Sequence, residues 1–404
     1  MRVLPVLLAL TAVLPGSAAA KGDGSAAASD AVTLAFTLDH NRMIVEVECL
    51  RPDGSIRKAR AWLDTGDQSV CLAEPLAREL GIDTSALSAP GKRRPIEVAA
   101  PVPPIRLAGF SLDVDGIKLN VARGKLASSG IPAEVKLPAT VLRNLHVIFD
   151  YPEKQLTAAR PGVLKPRGEA VPCRVNRETG LFMVDAVMDG RTVPLGVDTG
   201  SAGTWVADTL ATSWRERHPD WRHATGAAGS ANFFGFSFEK RGVLMCLPEL
   251  GIGPLRARDV AVLGLDRSLF EWYSQKSAAP VLGFIGANVL QCFRLEVDFP
   301  NQMTYWEAGP AAEPADLDIA GIGVCPEQDG RYTIAGVVLR DGKPAVEGVQ
   351  AEDRLLRVDG LECTGSSMGP VVDALRGRPG ETRTLVIERD GVPTTVEAKV
   401  LRLP

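Results

Sequence analysis

The sequence predicts a mainly β protein of two related lobes, followed by a smaller domain of mixed α and β character. Three observations carry that expectation. An apolar strand leading into Asp-Thr-Gly, and then a short helix and a closing strand, occurs twice in the same order. The residues between these landmarks form short apolar runs separated by Gly and Pro, the punctuation of β-rich chains. The length of 404 residues exceeds one ordinary core, so roughly two to three domains are expected.

The first copy of the repeat runs Arg51-Pro52-Asp53-Gly54, an alternating apolar segment, then Trp62-Leu63-Asp64-Thr65-Gly66. The second runs Met188-Asp189-Gly190, a similar segment, then Gly196-Val197-Asp198-Thr199-Gly200. Each Asp-Gly reads as a hairpin turn delivering a strand that ends at the triplet. The closing blocks also match. Leu137-Pro138-Ala139-Thr140-Val141-Leu142 precedes Val147-Ile148-Phe149-Asp150-Tyr151-Pro152, and Ile285-Gly286-Ala287-Asn288-Val289-Leu290 precedes Leu295-Glu296-Val297-Asp298-Phe299-Pro300. Each reads as a short helix, a strand and a proline-marked turn. Repeats are sought first because they fix the organisation of the whole chain.

The boundaries follow. Arg160 to Pro172 and Ala308 to Asp316 are Pro- and Gly-bounded linkers, which places a first lobe at 31–165, a second at 170–309 and a third domain at 317–404. Residues 1–20 read as an export signal: Arg2, then apolar Val3 to Leu14, then Ala18-Ala19-Ala20 before a cleavage point. That apolar run is too short to span a bilayer, and no cysteine follows the cleavage point to carry a lipid. The mature chain is expected to be periplasmic or secreted, with no stable membrane anchor.

Composition narrows the function classes. A net charge of −4, with no basic run, argues against a nucleic-acid partner. Seven cysteines, Cys49, Cys71, Cys173, Cys246, Cys292, Cys325 and Cys363, are widely spaced with no C-x-x-C. That spacing argues against a zinc or redox centre and favours buried thiols for most of them.

Leu63-Asp64-Thr65-Gly66 and Val197-Asp198-Thr199-Gly200-Ser201, with Ile285-Gly286-Ala287 as a second motif, resemble the aspartic peptidases of the retropepsin and pepsin clan. The resemblance covers about residues 34 to 309 and implies a bilobal β-barrel pseudodimer within one chain, working as a monomer. It implies Asp64 and Asp198 as a catalytic dyad without metal or organic cofactor, acting on a polypeptide substrate. Two carboxylates held about 3 Å apart cannot both ionise, so they share a proton. The ionised member takes a proton from water, and the neutral one donates to the scissile carbonyl. The resemblance further implies that Thr65 and Thr199 interlock between the lobes, that Gly66 and Gly200 admit close backbone approach, and that Ser201 hydrogen-bonds the outer oxygen of Asp198.

Three positions depart from that pattern. Asp67 stands where Ser, Thr or Ala is usual, and a third carboxylate there would raise the dyad pKa or need a basic partner. Pro138 replaces the glycine of the first lobe's second motif. No tyrosine lies between Gly66 and Leu137, which favours a retropepsin-like site over a pepsin-like one. The short Lys21 to Asp30 stretch leaves no room for a pepsin-type propeptide, so control is expected from compartment, pH, flap closure or the third domain.

Residues 317–404 resemble a PDZ domain. Gly321-Ile322-Gly323-Val324 is similar to the loop whose successive N–H groups capture a peptide C-terminus. Lys343 to Val349 and Asp353 to Gly360 follow in the family's order, with Glu352 in place of a glycine. Val371 to Leu375 is expected as the helix flanking the groove and Thr384 to Glu388 as a late strand. The resemblance implies a C-terminal peptide ligand that is tethered near the cleft; the competing expectation is a groove filled internally or packed on the lobes.

Other signals lead nowhere. Gly365-Ser366-Ser367-Met368-Gly369 fits G-x-S-x-G without the strand-to-helix setting a nucleophile elbow needs. His218 and His223 lack the spacing of a paired helical site and read as solvated surface. Phe233, Phe234, Phe236 and Phe238 read as strand packing or a flap. The alternative to hydrolysis is a non-catalytic protein using a degenerate cleft and the PDZ-like groove for binding; a structural scaffold is the third reading.

Overall fold

The computed structural model describes residues 29–88, 95–123, 126, 133–226, 242–311, 314, 318–327 and 329–403. The export signal and the four phenylalanines at 233–238 lie outside them. Among the described residues strands account for 49% and helices for 12%, so the protein is mainly β. Among the described residues no helix is long and apolar enough to cross a membrane.

Alternation builds the strands. In Ile56–Asp64 the side chains of Ala59, Ala61 and Leu63 are buried, while Lys58 and Arg60 on either side of Ala59 are exposed. In Phe182–Met188, Val184, Ala186 and Met188 are buried around exposed Asp185 and Val187. Such two-residue periodicity turns one face of each strand to a core.

The first half is a nine-stranded sheet. Its path runs Ile96–Val98, Leu119–Ala122, Val70–Ala73, Val135–Pro138, Ile56–Asp64, Arg42–Leu50, Ile105–Leu107 and Phe110–Ser111, with Thr37–Asp39 paired to Arg42–Leu50. The second half closes into a six-stranded barrel. Around it run Phe182–Met188, Arg191–Val197, Gly283–Ile285, Thr204–Ala207, Leu255–Leu265 and Val243–Ile252, the last pairing back to the first. The Asp189-Gly190 turn has positive φ at both residues, 51° and 68°, and Met188 pairs with Arg191 across it. This is the two-residue hairpin expected from Asp-Gly.

A six-stranded antiparallel sheet joins the halves. Its order is Ala31–Ala35, Gln155–Ala159, His146–Asp150, Phe293–Asp298, Met303–Ala308 and Glu169–Val175. At its middle the closing strands of the two repeats pair directly, with Ile148 opposite Glu296. One apolar cluster runs through both halves, from Val45, Leu63 and Val121 to Leu195, Ile252 and Leu295.

The C-terminal domain packs Met368–Leu375 on strands Ile322–Pro326, Tyr332–Arg340, Arg354–Val358, Thr382–Arg389 and Val392–Arg402. The helix begins three residues before the expected Val371, because Ser367 takes the extended N-cap conformation. Strand His223–Gly226 of the second half pairs with Tyr332–Arg340. The apolar cluster of this domain continues through Trp205, Phe270 and Phe284, so it shares a core with the second half. All seven cysteines are free thiols, six of them buried.

Candidate functional site

The two triplets meet. In each half a strand enters the triplet, another leaves it, and a third is inserted between them. Val135–Pro138 pairs in parallel with Ile56–Asp64 and antiparallel with Val70–Ala73. Gly283–Ile285 does the same between Arg191–Val197 and Thr204–Ala207. The inserted strand holds each triplet loop open and fixes where its carboxylate points.

Thr65 and Thr199 cross-brace the loops. The Thr65 amide donates to Thr199 Oγ1 (3.2 Å) and the Thr199 amide to Thr65 Oγ1 (3.0 Å). Their hydroxyls donate onward to Val197 O and Leu63 O, both at 2.8 Å. Each threonine therefore uses donor and acceptor together, and all four groups are buried and satisfied.

The glycines face the opposite carboxylate. A Cβ on Gly66 would lie 2.5 Å from Asp198 Oδ2, and one on Gly200 would lie 2.3 Å from Asp64 Oδ1. Neither space admits a side chain. Within each loop Gly66 N donates to Asp64 Oδ1 (3.1 Å), and Gly200 N and Ser201 N donate to Asp198 Oδ1 (2.8 and 3.1 Å). The Ser201 hydroxyl does not reach Asp198, contrary to expectation. It donates to Gly203 O at 2.5 Å, closing its own turn, so only the Ser201 amide serves the carboxylate.

Asp64 and Asp198 are 8% and 5% exposed. Burial pushes both carboxyls above their ordinary range, Asp64 further because the Asp198 charge adds to it. Asp198 is held back by the Gly200 and Ser201 amides, by a hydrogen bond with Asp64 and by Arg42. The two carboxyls therefore titrate as a coupled pair.

Asp67 has the basic partner that its position demands. Lys136, in the inserted strand, pairs with Asp67 Oδ2 and lies 3.8 Å from Asp64 Oδ2. Burial works against the charge on Asp67, but Lys136 and the Gln68 and Ser69 amides hold its carboxyl below the usual value. Burial likewise disfavours the Lys136 ammonium, which Asp67 and Asp64 keep charged. The alternation Val135, Lys136, Leu137 gave the available signal: two buried apolar residues flank a lysine turned to the other face.

Pro138 takes φ −83°, ψ 169° and Gly286 φ −97°, ψ 178°, so proline costs no conformation here. Below each triplet, Ala139 N donates to Asp67 O (3.0 Å) and Ala287 N to Ser201 O (2.8 Å). One bond of the second half has no counterpart at Pro138: Gly286 N donates to Thr204 Oγ1 (3.1 Å), which proline cannot reproduce.

Two further residues escaped sequence reading. Arg42, 1% exposed, donates from Nε to Gly200 O at 3.1 Å. Tyr273, on helix Arg267–Ser274, packs against Trp205 and Phe284. Burial raises its hydroxyl pKa, and the charges of Asp198, Asp64 and Asp67 raise it further. The second half thus brings a buried tyrosine within the field of the pair, although the sequence has none between Gly66 and Leu137.

Gly321, Ile322, Gly323 and Val324 do not lie at this site. Ile322, Gly323 and Val324 belong to a strand paired with Tyr332–Arg340, and Gly321 O accepts from Val338 N at 3.0 Å. Ile322 and Val324 are fully buried, so this segment enters the sheet as a strand with its apolar side chains in the core. His218 pairs with Asp189 (2.8 Å) and stacks on Trp221, so it is a bonded surface group. Comparison with protein-family models finds no match, and comparison with curated proteins finds none either.

Proposed function

We propose that this chain is an aspartic endopeptidase, a two-lobed pseudodimer of the retropepsin and pepsin type, hydrolysing peptide bonds with water activated by Asp64 and Asp198. The observation that carries the reading is the reciprocal assembly of the triplets. Each glycine admits the other half's carboxylate, each threonine braces the other half's loop, and two buried carboxyls are left to share a proton. The ionised member of the pair takes the water proton, and the neutral one donates to the carbonyl oxygen as it gains charge. No covalent intermediate forms. We assign the C-terminal domain as PDZ-like, engaging a substrate or partner peptide, and the leader at residues 1–20 as directing the chain to the periplasm or outside the cell.

A second reading, peptide binding without cleavage, is favoured by Lys136, whose ammonium lies 3.8 Å from Asp64 Oδ2 and so draws that carboxyl away from proton donation. Incubating the mature protein with an unfolded polypeptide from acid to neutral pH separates the two. Cleavage lost in Asp64→Asn and Asp198→Asn supports the dyad. Cleavage that survives both substitutions rejects it, and binding without cleavage by the wild type selects the second reading.

A further inference from the structure

The turn at His40-Asn41 touches two distant parts of the molecule. It joins Thr37–Asp39 to Arg42–Leu50, with φ of 47° and 64° at its two residues. On one side Asn41 Nδ2 donates to Ala202 O (3.1 Å) and Arg42 Nε to Gly200 O (3.1 Å). On the other side Asp39 Oδ1 accepts from the Gly369 amide (2.8 Å) and Oδ2 from the Ser367 hydroxyl. Those two residues begin the C-terminal domain's helix Met368–Leu375. A Cβ on Gly369 would lie 2.9 Å from His40 N and 3.1 Å from Asp39 Cγ, so the turn rests directly on the helix.

The peptide unit that Arg42 contacts gives this bridge its chemical meaning. Its carbonyl, Gly200 O, accepts from Arg42, and its N–H, on Ser201, donates to Asp198 Oδ1. A cationic donor on the carbonyl polarises the unit and strengthens the bond made by its N–H. Asn41 fixes the next carbonyl but one. We propose that helix Met368–Leu375 holds the Asp198 loop in its working geometry through the 39–42 turn, with Asp39, Asn41 and Arg42 as positioning residues.

This rests on the hydrolytic reading of the dyad, and a titration makes it testable without cleavage. Among the described residues, the charged and titratable groups around the pair are Arg42, Lys136 and Asp67 from the first half, Tyr151 beside the joining sheet and Tyr273 from the second half. Asp39 itself faces Arg42 and Asp373. Ser367→Ala and Gly369→Ala alter only the helix side of the bridge. Full-length protein carrying carbon-13-labelled aspartate would be titrated by NMR for wild type, Ser367→Ala, Gly369→Ala, Asp39→Ala and Asp39→Asn.

Loosening the turn weakens the Ser201 amide bond to the anion, so the Asp198 carboxyl should titrate higher. A rise of about one unit, roughly tenfold in proton affinity, is expected in Gly369→Ala and Asp39→Ala. Asp39→Asn, which keeps an acceptor for the Gly369 amide, should lie nearer wild type. If the hydrolytic reading holds, kcat falls in the same order with KM kept. Unchanged titration in folded Ser367→Ala and Gly369→Ala overturns the proposal. A shifted titration in a protein that never cleaves overturns the hydrolytic reading and leaves the bridge standing.

Discussion

Lys136 holds its ammonium 3.8 Å from Asp64 Oδ2 while pairing with Asp67. An ammonium this close to a dyad favours its ionised form, and the Asp67 anion opposes it. The two substitutions should therefore act in opposite directions. In Lys136→Met the Asp64 carboxyl rises further, and the pH–rate profile of kcat/KM moves up by about one unit. In Asp67→Asn the lysine is left to Asp64 alone, and the profile moves down. The double variant should fall between them. Profiles that stay in place in both single variants would remove Lys136 from the electrostatics of the site.

Gly286 and Pro138 occupy matching places with different tolerances. A Cβ on Gly286 would lie 1.9 Å from Gly203 O, and backbone on both sides cannot yield cheaply. Gly286→Ala should cost about 3 kcal/mol or more, read as a fall in the urea midpoint. Pro138→Ala keeps the extended backbone and should stay within about 1 kcal/mol of wild type.

Thr199→Val orphans two buried groups, the Leu63 carbonyl and the Thr65 amide. Each should cost about 1–3 kcal/mol. Thr199→Ser retains both bonds and should recover most of the loss in thermal unfolding. Equal stability of the valine and serine variants would show that the brace contributes no net stability.

Glu296 gives the molecule an acid limit. It is fully buried between His146 (3.1 Å) and Arg294 in the joining sheet. Burial alone would raise its carboxyl, but His146, Arg294 and the Arg167 amide hold it below the ordinary 4.5. A carboxyl depressed in the folded state stabilises it above the unfolded value, and that contribution disappears as pH falls through the folded value. Melting temperature should drop below about pH 4.5. Glu296→Gln should lose about 3 kcal/mol at pH 7 and show a flatter acid limb in calorimetry.

Much of this arrangement was legible because its constraints are local. Asp-Thr-Gly after an apolar strand, met twice, places Asp64, Thr65, Gly66, Asp198, Thr199 and Gly200 at one site, and alternation marks the strands that deliver them. Contacts between distant residues left no such trace. Lys136 is 69 residues from Asp67, and Gly369 is 330 from Asp39; neither pair has a spacing rule. Tyr273 was hidden because it lies on a helix, Arg267–Ser274, outside the matched blocks of the two repeats. The Ser201 hydroxyl was misassigned because a nearer carbonyl, Gly203 O, competes for it.

The pairing of His146–Asp150 with Phe293–Asp298 also sets a timetable. A chain emerging from its N-terminus can complete the first half early, but the strand that docks the second half onto it arrives nearly a hundred and fifty residues later, at Phe293–Asp298. Until then Asp64 faces no partner, and its loop lacks the Thr199 brace. Strand pairing over such separation is slow, so on the proposed hydrolytic reading a nascent copy remains inert. Any power to cut arises only once the chain is long enough to be folded and shielded from its own activity.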